Sequence, residues 1–83
     1  MKPNHVLLGV HVTDRLKEAV EVQKVFTEFG QNIKTRVGLH EIGSGPEGLV
    51  VLEIVGDRQV SQKMAQKLNA IQGIEVKEMV FGH

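Results

Sequence analysis

From His5 to Val12 the chain reads HVLLGVHV, with Val6, Leu8, Val10 and Val12 alternating with His5, Leu7, Gly9 and His11. β-Branched residues on a period of two predict a strand. Thr13-Asp14 then offers a helix N-cap. Leu16, Ala19, Val22, Phe26 and Phe29 follow at helical spacing with charges opposite, which predicts an amphipathic helix closed by Gly30. Ile33 to Ile42 alternates again. Ile33, Thr35, Val37 and Leu39 share one face, and Lys34, Arg36, Gly38, His40 and Ile42 share the other. After a glycine-rich stretch, LVVLEIV predicts a third strand. Its Val50, Leu52 and Ile54 form an apolar face, and Leu49, Val51, Glu53 and Val55 the opposite one. Gly56-Asp57 breaks that strand and caps a second helix with the stripe Val60, Met64, Leu68 and Ile71, ended by Gly73. A last strand, Ile74 to Phe81, sets Ile74, Val76, Glu78 and Val80 against Glu75, Lys77, Met79 and Phe81, and Glu78 interrupts its apolar side.

The order is β-α-β-β-α-β. Right-handed crossovers make the first strand parallel to the second and the third parallel to the fourth. The compact solution interleaves them as 4-1-3-2, antiparallel throughout, with both helices on one face. This is an α+β, ferredoxin-like fold, expected as one domain over residues 1–83.

Within that frame one tempting motif loses its meaning. Gly43-Ser44-Gly45-Pro46-Glu47-Gly48 spells G-x-G-x-x-G. A phosphate-binding glycine turn works by joining a strand to a helix whose N-terminal amides meet the anion. Here the turn joins two strands, so a hairpin loop with Gly and Pro46 at turn positions is the expected reading.

Composition narrows the function. Ten Lys and Arg balance ten Asp and Glu, and there is no Tyr or Trp. Without a basic excess or stacking aromatics, direct nucleic-acid binding is not expected. There is no cysteine, which excludes disulfides, thiolate metal sites and cysteine nucleophiles. The first apolar run is about seven residues, far too short for a signal peptide or a membrane span, so a soluble cytoplasmic protein is expected. A domain of this size has a thin core, and a homo-oligomer, dimer or tetramer, is expected from size.

Helices cover only one side of such a sheet. The other side is expected to carry Leu7, Gly9, His11, Leu49, Val51, Val55, Met79 and Phe81 together with Arg36, His40, Glu53 and Lys77. That mixture resembles a protein–protein surface. If the hairpin closes symmetrically, Gly38 lies opposite Glu53 and Arg36 lies diagonal to it. The Arg36–Glu53 pair is then either buried at a subunit interface or a solvated ion pair. His5 and His11 share a face about 20 Å apart and cannot share an ion within one chain. His11 and His40, at the same end of the sheet about 10 Å apart, would form a metal site only with a second subunit. No catalytic triad, lysine site or carboxylate pair is recognisable, so the chain is not expected to be an enzyme.

The segment VTDRLKEAVEVQKVFTEFGQNIKTRVGLHE resembles the start of an ACT domain, with Gly30, Asn32 and Ile33 opening the second strand. That resemblance implies a regulatory module binding amino acids or other small effectors at a subunit interface. The implied contact loop is Val12, Thr13, Asp14 and Arg15. IKTRVGLHE, GLVVLEIVGD and MAQKLNAIQGIEVKEMVF are similar to the iron-only hydrogenase system regulators, stand-alone ACT-like domains. Their fold also resembles the C-terminal domain of the nickel-responsive repressor. The shared pattern is Arg36-Val37-Gly38, Lys67-Leu68 and Gly73-Ile74-Glu75-Val76-Lys77. The resemblance implies a regulator that senses an effector through Thr13, Asp14 and Arg15, acts through assembly or a protein partner, and borrows any DNA-binding element. Two other readings stay open: a metal-responsive module using His11 and His40 across subunits, and a purely structural interaction domain.

Overall fold

The structure is a computed structural model that describes residues 5–39 and 47–82, except for the side chains of residues 15 and 16. The elements are β1 (His5–Val12), α1 (Arg15–Glu28), a 3-10 turn (Gly30–Asn32), β2 (Ile33–Leu39), β3 (Gly48–Ile54), α2 (Arg58–Asn69) and β4 (Ile74–Phe81). The four strands form one sheet in the order β2-β3-β1-β4, antiparallel at every pairing. This is the ferredoxin-like α+β arrangement expected from the pattern.

The core is the layer between the sheet and the two helices. Val6, Leu8, Val10 and Val12 of β1 pair with Ile54, Leu52, Val50 and Gly48 on one side and with Val80, Glu78, Val76 and Ile74 on the other. They meet Val22, Val25 and Phe26 of α1 and Met64 and Leu68 of α2 in one apolar cluster. The α1 stripe therefore runs through Val25 rather than Ala19, which is exposed. Asp57 caps α2 by accepting from Gln59 N at 2.7 Å. Gly30 does not close α1 in the left-handed conformation; it opens the 3-10 turn, and among the described residues the positive φ values belong to Gly56 and Gly73. Glu78 does lie on the helix side, opposite Leu8, and is reconciled with it by an ion pair with Arg58 at 2.8 Å. Arg58 also donates to Ser61 Oγ, and Ser61 Oγ donates to the carbonyl of Arg58.

The hairpin does not close symmetrically. Ile33 pairs with Ile54, but Thr35 pairs with Glu53, so one extra residue, Lys34, is inserted in β2. Because side chains alternate with a period of two, this exchanges the faces of every later residue. Ile33 packs against the core, whereas Thr35, Val37 and Leu39 stand on the helix-free face with Glu53, Val51 and Leu49. Arg36, opposite Leu52, points to the helix side and sits over the Phe26 ring at 4.9 Å. The expected grouping of Ile33 with Thr35, Val37 and Leu39 is corrected by this bulge.

Leu52 is completely buried beside Leu8. Leu52→Ala is expected to lower unfolding free energy by about 2–5 kcal/mol with an unchanged denaturant slope, measured by urea unfolding.

Candidate functional site

Thr13 and Asp14 join β1 to α1 at the end of the sheet where the α2–β4 connection also returns. Val12 pairs with Ile74, so the residues just beyond them must adjoin. Thr13 donates to the carbonyl of Gly73 twice, from its backbone N at 3.0 Å and from Oγ1 at 2.7 Å. Asp14 Oδ1 accepts from Lys17 N at 3.3 Å, which satisfies one of the open amides at the start of α1. Glu18, one turn into the helix, reaches back: its Oε1 accepts from Asp14 N at 2.9 Å. Asp14 caps the amide of Lys17 while Glu18 caps the amide of Asp14, a variant of the capping box.

Glu18 is 92% buried, since only 8% of it is exposed. What buries it is the turn before β4. Gly73 has φ +88°, and a Cβ there would lie 1.6 Å from Glu18 Oε2. A glycine is therefore required at 73 for two independent reasons, backbone conformation and the space taken by the carboxylate.

Between these two connections lies a cleft of about 650 Å³. Its walls are Thr13, Asp14, Lys17, Glu18 and Glu21 on one side and Ala70, Ile71, Gln72 and Gly73 on the other. The size is that of a small-molecule site. Three carboxylates and one ammonium line it, so its field favours a ligand with a cationic group, and Lys17 offers a partner to an anionic one.

The residues singled out from sequence are distributed as follows. Thr13 and Asp14 line the cleft, and Arg15 opens α1 next to them. Lys17, Glu18, Glu21 and Gly73 were missed as site residues. A signal for Glu18 existed in Asp14-x-x-x-Glu18, a carboxylate one turn after a cap, but its burial depends on Gly73, distant in sequence. Gly38 pairs with Val50, not Glu53, and Arg36 faces the opposite side, so the expected Arg36–Glu53 pair is not formed. His11 Nε2 lies 3.1 Å from Glu47 Oε2. His40 and most of the glycine-rich segment, residues 43–46, lie outside the described residues, and among those described no group of three or more metal-ligating side chains converges.

Glu53 has other partners. Thr35 Oγ1 donates to its Oε1 at 2.8 Å and His5 Nε2 lies 2.6 Å from its Oε2. These hydrogen bonds, Thr35 first and then His5, favour the ionised carboxylate and hold its pKa below the ordinary value, with Lys34 adding a smaller electrostatic contribution.

A ferredoxin-like α+β domain with a cleft at one end of its sheet is the class that fold and geometry define. Among solved structures, the chain is similar to the uncharacterized protein TM1266 from Thermotoga maritima, with a TM-score of 0.82, 25% identity, and coverage of 94% of this chain and 96% of that one. It is also similar to CPII, a nitrogen regulatory PII-like protein from Thiomonas intermedia K12 bound to ADP, AMP and bicarbonate. There the TM-score is 0.60, the identity 10%, and coverage 96% of this chain and 92% of that one. A second structure of that protein with the same ligands gives a TM-score of 0.59 at 12% identity, over 96% of this chain and 94% of that one. The CPII likeness is one of fold. No protein-family model matches the chain, and no curated protein does.

Gly73→Ala is expected to cost about 1–3 kcal/mol in urea unfolding. Glu18→Ala/Gly73→Ala should cost less than the sum of the single changes, because removing the carboxylate relieves the clash but not the backbone strain. The Glu53 carboxylate should titrate below the ordinary glutamate midpoint in a two-dimensional NMR pH series, and Thr35→Val should raise that midpoint. Because the folded-state value is the lower one, its stabilising contribution is fully present above the unfolded value, about pH 4.3, and is lost as pH falls through the folded one.

Proposed function

We propose that the protein is a small regulatory module that binds an effector in the cleft between the β1–α1 and α2–β4 connections and answers through its assembly or a protein partner. The observation that carries this reading is the 650 Å³ cleft bordered by Thr13 and Asp14, the loop that the ACT resemblance implies as the contact site. The occurrence of this fold in CPII, a PII-like regulatory protein bound to ADP, AMP and bicarbonate, supports a small-ligand role. The segment similarity to hydrogenase system regulators supports a stand-alone regulator. The role proposed is binding, not catalysis.

The charge of the cleft favours an amino-acid-like effector over a nucleotide. An ammonium group would be met by Asp14 and Glu21, and a carboxylate by Lys17. A diphosphate would face three carboxylates with one lysine. Binding would act by population shift, through different affinity for two assembly states.

The test is a thermal-shift and calorimetry series with the common amino acids, AMP, ADP and bicarbonate. An amino acid at about 100 times its Kd should stabilise the fold by about 2.7 kcal/mol, which for a domain of this size raises Tm by about 10 °C or more. Lys17→Glu and Glu21→Lys should each abolish that shift while leaving the unliganded Tm nearly unchanged. A response to nucleotide alone would overturn the amino-acid assignment. No response from any ligand, or one that survives both substitutions, would overturn the cleft as effector site.

A further inference from the structure

The helix-free face of the sheet has a pattern more specific than exposed apolar area. Its register places Thr35, Glu53, Leu7 and Met79 in one row across the four strands, Val37, Val51, Gly9 and Lys77 in the next, and Leu39, Leu49, His11 and Glu75 in the third. His5 and Phe81 begin a row beyond the first. The apolar side chains therefore form a diagonal band from Leu39 on one edge strand to Phe81 on the other. Val37, Leu39, Met79 and Phe81 in that band remain 44–57% exposed. The two corners off the diagonal are polar. One holds Glu53 with Thr35 and His5; the other holds Lys77 with Glu75 and His11.

We infer that this face is the interface between two copies of the chain, stacked sheet on sheet about a two-fold axis that runs along the diagonal band. An isologous contact must be self-complementary, and only two in-plane axes lay the band on itself. An axis across the band sets Glu53 over its own copy and Lys77 over its own copy, which brings like charges together. An axis along the band exchanges the corners. It carries Glu53 of each copy to the area around Gly9 and Lys77 of the other, so unlike charges meet. Gly9 has no side chain, and even an added Cβ would come no nearer than 3.9 Å to the Lys77 carbonyl, so the surface there is recessed where the carboxylate arrives. With strands about 4.8 Å apart and a rise of about 3.4 Å per residue the band lies at roughly 35° to the strands. The two sheets then cross at roughly 70°, near the orthogonal class of sheet packing. The band centre, Leu7 and Val51, lies on the axis and meets its own copy.

This inference concerns the helix-free face rather than the cleft and stands or falls separately from the effector reading. Its test is sedimentation velocity with native mass spectrometry, backed by a circular-dichroism melt of each variant. The wild type should self-associate with two-fold stoichiometry at about 100 μM, the range in which even a modest Kd is populated. Val51→Glu, which brings two charges together on the axis, should leave a folded monomer. Lys77→Glu should weaken association at least about tenfold, and adding Glu53→Lys should restore it to within about threefold, as opposite-charge exchange across a contact requires. A wild-type monomer at that concentration overturns the inference and gives the face to another partner. Association that is indifferent to Val51→Glu overturns it too. A charge-swapped double variant no tighter than Lys77→Glu alone overturns the proposed axis.

Discussion

Strand β1 has neighbours on both sides, and its Val6, Leu8, Val10 and Val12 all point to the same face. Four apolar side chains in a row on a central strand need a lid about as long as the strand itself, and α1 and α2 together supply it. That requirement fixes both helices to one side. It leaves the other side of the same strand, Leu7, Gly9 and His11, without a covering helix among the described residues. It also brings the exit from β1 and the entrance to β4 to one end, because Val12 and Ile74 are partners. The cleft and the bare face are thus two outcomes of the same packing demand.

Much of this architecture could be read from the chain, and the reasons are local. Period-two alternation in HVLLGVHV, the Asp57 cap and the Met64–Leu68 spacing each report on contacts within a few residues, and strand order follows from crossover handedness. The loop at Thr13 and Asp14 could be found because an N-cap leaves a residue-level mark. The burial of Glu18 could not, because it depends on a turn more than fifty residues away. The pairing of Arg36 with Glu53 failed for a similar reason. It assumed one partner per residue along the hairpin, and the bulge at Lys34 is set by how Ile33 must reach the core while Thr35 reaches Glu53. Nothing in the alternation of β2 alone distinguishes the two outcomes.

Glu18 and Thr13 together join the two sides of the cleft. The Glu18 carboxylate binds the amide at the helix start and fills the hollow over Gly73, while Thr13 bonds the Gly73 carbonyl across the two connections that form the cleft. A fold shared with CPII does not carry a ligand with it, since function depends on the groups lining a site. On one wall of this cleft the α1 side chains Lys17 and Glu21 are exposed and can vary without disturbing the core stripe of Val22, Val25 and Phe26.

The extra residue in β2 has an implication for how such a chain tolerates change in length. An insertion or deletion in a surface loop is normally absorbed by the loop. At Lys34 the extra residue is absorbed inside the strand, and the side on which everything downstream appears depends on whether a bulge takes it up. Pairing all of β2 one to one, without the bulge, would set Lys34 opposite Glu53, turn Arg36 outward and bury Val37 and Leu39, converting a greasy exterior into a charged one without replacing a single amino acid on it. A chain shorter by Lys34 would need no bulge, would keep Thr35 opposite Glu53 and would present the same exterior to whatever it meets.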